Sequence, residues 1–176
     1  MAALIPSASA TGSGTMTLAG PSTNSNQTIT IPDATGTMMV SGNMPAFSAY
    51  QSSAQTLTGS VVTKILFQTE EFDTNNNFAS STFTPTVAGY YQVTGGIQVN
   101  AVVTVINVFL YKNGALYKFL VTSNNATLSG GYGTSLVYLN GSTDYVEIYA
   151  SVGTGQALNV NGTAGSYFNG AMVRAA

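Results

Sequence analysis

Apolar residues in this chain recur at every second position in run after run, and no window carries them at helical spacing. In YYQVTGGIQV (90–99), Tyr91, Val93, Ile97 and Val99 share one side of an extended chain. VVTKILF (61–67) alternates as well. TVINVFLYKNGALYKFLV (104–121) reads as two strands joined at Lys112-Asn113-Gly114, because Asn-Gly suits a tight hairpin. SLVYLN (135–140), DYVEIYASV (144–152) and SYFNGAMVR (166–174) follow, with turns expected at NGST (140–143) and NGTAG (161–165). Many short strands with Gly, Asn, Ser and Thr between them predict an all-β antiparallel sandwich or jelly roll.

Charge narrows the function classes. Only 6% of residues are charged, the net charge is −2, and the cations are Lys64, Lys112, Lys118 and Arg174. A grip on nucleic acid needs several cations to displace counterions, so that partner is excluded, and the same scarcity argues against attachment to an anionic membrane surface. The apolar run AVVTVINVFLY (101–111) is too short to span a bilayer and contains Thr104 and Asn107, so it reads as a central strand of a soluble protein. The start, MAALIPSASA, lacks Lys and Arg and reads as a mature N-terminus, not a signal peptide. A surface built from Ser, Thr, Asn, Gln and Gly lacks the charges that keep strand edges of separate molecules apart. A closed oligomer that hides its edges answers that problem.

Residues 1–43 differ from the rest. TMTL (15–18), TITI (28–31) and TMMV (37–40) are β-prone pieces too short to bury a face alone. They predict an N-terminal extended β segment over 1–43 that pairs with copies from neighbouring subunits, ahead of one domain over 44–176.

No catalytic set is visible. Without His or Cys, the Ser-His-Asp and Cys-His arrangements cannot form. A glycosidase pair would come from Asp33, Glu70, Glu71, Asp73, Asp144 and Glu147, but Glu70, Glu71 and Asp73 fall on one expected loop. That loop, EEFDTNNN (70–77), offers oxygen ligands suited to calcium but lacks EF-hand spacing, and it reads first as a solvated acidic loop. No metal and no cofactor is assigned. Tyr90, Tyr91, Tyr111, Tyr117, Tyr138, Tyr145, Tyr149 and Tyr167 could form sugar platforms, yet alternation places many in a core or seam. Tyr91 and Tyr167 are expected there, and Tyr132, in a Gly-rich SGGYG loop (129–133), is expected to be exposed. The sequons at Asn26, Asn125, Asn140 and Asn161 are chance products of an Asn- and Thr-rich chain.

The landmarks running from Phe67 through Asp73, Phe78 and Phe83 to Gly89-Tyr90-Tyr91 resemble the signature of C1q-like globular heads, relatives of the tumour-necrosis-factor jelly roll. PAFSA (45–49) is similar to that family's first strand, NGSTDYVEI (140–148) to its Gly-Asp-x-Val turn, and SYFNGAMV (166–173) to its closing strand. The chain departs from the pattern in a Phe78–Phe83 spacing two residues short, and in Val93 and Gly95 where aromatics are usual. The resemblance implies a C1q/TNF-like homotrimer with an apolar axis. Phe47, Phe67, Phe83, Tyr91, Val93, Tyr167 and Phe168 are its candidates for core or trimer packing. In TGSGTMTLAGPSTNSNQTITIPDATGTMMVSG (11–42), the phrase Ile31-Pro32-Asp33-Ala34-Thr35-Gly36-Thr37 resembles segments ahead of bacteriophage tail-fibre domains. Together these imply a non-enzymatic virion surface protein, acting as a short tail fibre or spike that binds a host-surface glycan or protein. A capsid decoration (cement or head-fibre) protein is the alternative, and a secreted C1q-like lectin module a further one. Residues 1–43 would join other virion proteins.

Overall fold

A computed structural model describes Asn24, Asn26, Met39, Val40, Gly42 and residues 44–158 and 164–176, without the side chains of 125 and 126. The chain divides into two units, Met1–Gly36 and Thr37–Ala176, and the account below concerns the second. The strands expected at 15–18 and 28–31 lie outside the described residues, as do Asp33 and most of the 161–165 turn.

Among the described residues there is no α-helix. The strands are β1 (Ala46–Tyr50), β2 (Thr56–Leu57), β3 (Thr63–Lys64), β4 (Thr69–Asp73), β5 (Phe78–Ala79), β6 (Thr82–Phe83), β7 (Gly89–Lys112), β8 (Ala115–Leu139), β9 (Val146–Val152), β10 (Gln156–Ala157) and β11 (Tyr167–Ala175). All pairings are antiparallel, and β7 is the hinge of the architecture. Its first half is bonded between β11 and the end of β8, with Tyr91 opposite both Met172 and Val137. Its second half is bonded between β9 and the start of β8, with Val108 opposite Ala150 and Val121. One layer therefore runs β4-β1-β11-β7-β8, and the other runs β5-β6-β9-β7-β8 with β3 also on β9.

This is an antiparallel jelly roll, one of the two architectures that alternation predicted and the one the resemblance implied. Two strands expected over 90–99 and 104–112 are instead one, turning the corner between layers at Asn100-Ala101-Val102, where the ladder with β8 shifts register. At its tip Asn113 and Gly114 hold φ of 54° and 77°, the two left-handed residues a tight hairpin demands. The expected strand at 61–67 shrinks to Thr63–Lys64, with Val61, Val62 and Leu66 exposed. The cause is Gln55, whose amide accepts from Leu66 N–H (2.9 Å) and donates to Lys64 C=O (2.7 Å), in the place of a partner strand.

The layers meet on aromatic rings. Phe47 stacks on Phe83 and Phe78 at 4.2 and 5.0 Å and meets the edge of Phe168 at 4.8 Å. Phe83 in turn abuts Tyr91 at 5.5 Å. Gly95 is small because a side chain there would strike Ile148 of the opposite layer, 2.3 Å from the nearest atom. Such interlocked rings stabilise beyond their buried area.

Candidate functional site

Phe47, Phe67, Phe83, Tyr91, Val93 and Phe168 are buried in the core. Tyr91 keeps its hydroxyl bonded by donating to Val87 C=O (2.6 Å), and burial pushes its phenol well above the ordinary range. Tyr167, the remaining candidate for core or trimer packing, is half-buried and points away from the core. Its partner in register is Gly96, and the inward place falls to Phe168. The SGGYG segment is also not a loop but part of β8. There Tyr132 lies over Gly96 from the opposite side and stacks on Tyr167, with ring centroids 5.3 Å apart. Tyr132 is no more exposed than Tyr90, Tyr117 or Tyr138. Burial, then the neighbouring Tyr167, raises its phenol.

The acidic stretch is likewise a strand. Thr69–Asp73 forms β4, the outer edge of the first layer, paired only with β1 among the described residues. Its carboxylates do not converge. Asp73 accepts the N–H groups of Phe78 (2.6 Å) and Asn75 (3.3 Å), closing the turn, while Glu71 accepts from the Ser48 hydroxyl (2.7 Å). Among the described residues no cluster of His, Cys, Asp or Glu comes together to hold a metal ion. Glu147 faces the other way, bonded to Lys64 at 2.7 Å and Thr82 at 3.0 Å, where it ties β9 to β3 and β6.

Asp144 has a tying role too. It receives Lys112 Nζ (2.8 Å), Asn113 Nδ2 (2.7 Å) and Asn140 N–H (3.1 Å), joining the β7–β8 tip to the β8–β9 turn. The Lys112 and Asn113 side chains hold its carboxyl below the usual range. The sequon asparagine Asn140 is part of this turn, its Oδ1 accepting the N–H groups of Ser142, Thr143 and Asp144.

What stands out is the outer face of the first layer. Phe72, Leu136 and Val173 are 51%, 55% and 52% exposed, and Tyr90 and Tyr138 accompany them. Register assembles the surface: Tyr90 opposes Tyr138 with rings 5.4 Å apart, Gln92 opposes Leu136, and Thr94 shares a 2.8 Å hydrogen bond with Thr134. A shallow groove of about 470 Å³ on it is lined by residues that include Ser48, Phe72, Gln92, Asn169, Ala171 and Val173. The neutral polar groups suit partner contacts, and the aromatic groups suit burial. Beside this face runs β8, whose 25 residues hold Lys118 as their only charge and pair only with β7 among the described residues.

The fold defines the class first: a C1q/TNF-like jelly roll. Among solved structures, the chain is similar to murine APRIL, with a TM-score of 0.56 at 11% identity, covering 74% of this chain and 99% of that one. It is similar to the globular domain of zebrafish complement 1qA, with a TM-score of 0.50 at 17% identity over 75% and 98% of the two chains. It is similar as well to the PRD1 vertex protein P5, with a TM-score of 0.50 at 12% identity over 76% and 98%. No family model and no curated protein matches the sequence.

Proposed function

We propose that this chain is a non-enzymatic surface protein of a bacteriophage particle, whose jelly-roll domain works as a homotrimer. The observation that carries self-association is the outer face of the first layer. A contiguous apolar and neutral surface beside a nearly uncharged strand edge marks a protein interface when it occurs on a stable molecule. Residues Phe47, Phe67, Phe83, Tyr91, Val93 and Phe168 pack each subunit's core, and Tyr167 belongs to the outward face. Analytical ultracentrifugation should give three times the 18.1 kDa chain mass. A species of single-chain mass would overturn the trimer.

The particle setting rests on the phrase at Ile31–Thr37 and is supported by the shared fold of a virus vertex protein. On this reading residues 1–43 join other virion proteins, and the head projects as a short tail fibre or spike that touches a host-surface glycan or protein. The vertex protein's position favours a second reading, capsid decoration, equally compatible with a compact head. Antibody labelling of intact particles separates the two by location, tail tip or capsid. Absence from purified particles would sink both. Deleting residues 1–43 should leave a folded trimer that no longer enters particles, and retained incorporation would count against the anchor.

A further inference from the structure

The end of the core contains a polar pair that nothing above uses. On β1 and β11, Phe47 and Ala49 point inward, and Ala49 lies opposite Phe168. Two residues further along, Gln51 N–H donates to Ser166 C=O at 2.9 Å, so these two also oppose one another. By strand alternation both side chains continue the inward-facing row. Gln51 and Ser166 are each 0% exposed. Gln51 Nε2 and Oε1 have no hydrogen-bond partner among the described residues. Ser166 Oγ accepts from Gln98 N–H (3.0 Å), which leaves its own proton to donate.

A fully buried amide with neither end bonded is strongly unfavourable, and native proteins meet that need with another protein group or with water. We propose that the Gln51 amide and the Ser166 hydroxyl hold internal water between the ends of β1 and β11. The groups presented are neutral donors and acceptors, and Gln51 and Ser166 offer no opposite charge to offset the cost of burying a cation there. Water fits, since it accepts from the Nε2–H or the Ser166 hydroxyl and donates to Oε1, reaching the two to four partners that a buried water needs. The enclosed water fixes the Gln51 side chain without a charge.

A high-resolution crystal structure of the full chain tests this directly. The expected result is at least one enclosed solvent peak about 2.7–3.2 Å from Gln51 Nε2 or Oε1. A dry site, or protein atoms bonded to both ends of the amide, overturns the proposal. Gln51→Leu, close in shape, provides a second readout. If water links the two groups, the variant removes the amide's bonds to it, and the solvent peak should be lost or weakened in the variant's crystal structure. A solvent peak unchanged in the variant would show that the amide does not hold the water and would also overturn it.

Discussion

β4 and β8 are the two outer strands of the first layer, each paired on one side among the described residues, and they are protected in opposite ways. β4 carries Glu70, Glu71 and Asp73 within five residues. β8 carries Lys118 alone within twenty-five, and its outward residues include Leu136 and Tyr138. Charge on an edge strand repels a second strand, while a long uncharged edge invites one. The difference teaches where this molecule ends and where it continues. The charges of β4 keep its open edge free, although its Phe72 still faces the outer surface, and on the proposed trimer β8 with that surface is the side to be covered. A closed ring of three copies needs two complementary patches on each subunit, one for each neighbour, and a further adhesive edge outside them would let assembly run on.

The largest effect is expected from charging the covered side. Leu136→Glu with Tyr138→Glu would place two carboxylates in a buried interface without partners, which is costly enough to abolish association. Sedimentation should then report the 18.1 kDa chain, with the β-rich circular dichroism retained. An unchanged trimer mass would remove this face from the interface. The converse change strips the guarded edge. Glu70→Thr with Glu71→Thr leaves Asp73 to close its turn and should yield species heavier than the trimer by light scattering. If the mass distribution is unaltered, the carboxylates are not what keeps β4 free.

Much of this architecture was legible in the sequence because it is local. Asn113-Gly114 announces its own turn, and Tyr91, Val93, Ile97 and Val99 announce a buried face by period alone. What escaped depends on partners distant in the chain. Gln55 replaces a strand beside 64–66 through side-chain bonds that no pattern at 61–67 encodes. Of the adjacent rings Tyr167 and Phe168, the register with Gly96 and Gly95 decides which turns inward. The candidate face was hidden for a related reason. In Leu136-Val137-Tyr138-Leu139 both sides of the strand are apolar, so alternation cannot distinguish the core side, Val137 and Leu139, from the exposed one. That silence was itself a usable signal, since a strand apolar on both faces within an uncharged edge asks for two burials.

A smaller effect is expected inside the face. A methyl group at Gly96 would meet the Tyr132 ring 2.1 Å away and Gly131 C=O at 2.7 Å. The ring can swing aside but the carbonyl cannot, so Gly96→Ala should destabilise by about 1–3 kcal/mol, the usual cost of overpacking. Chemical denaturation measures it. If β8 is the adhesive strand, the same variant should also dissociate at higher concentration than the parent, because displacing Tyr132 disturbs the stack on Tyr167.

The smallest effect concerns the end of β8, which is pinned at the tip where Lys112 Nζ donates both to Tyr138 C=O (2.7 Å) and to Asp144. Asp144→Ala removes three acceptor contacts, but solvent reaches the pair, so the expected loss is about 1 kcal/mol at neutral pH. The pH dependence gives this prediction its sign. Asp144's carboxyl is held below its unfolded value chiefly by Lys112, so its contribution is complete above a pH of about 4 and fades as pH falls through the lower, folded value. The stability gap between parent and variant should therefore be flat at neutral pH and close in acid. A gap that persisted in acid would mean that Asp144 acts through packing, leaving Lys112→Tyr138 as the bond that fixes the β8 terminus.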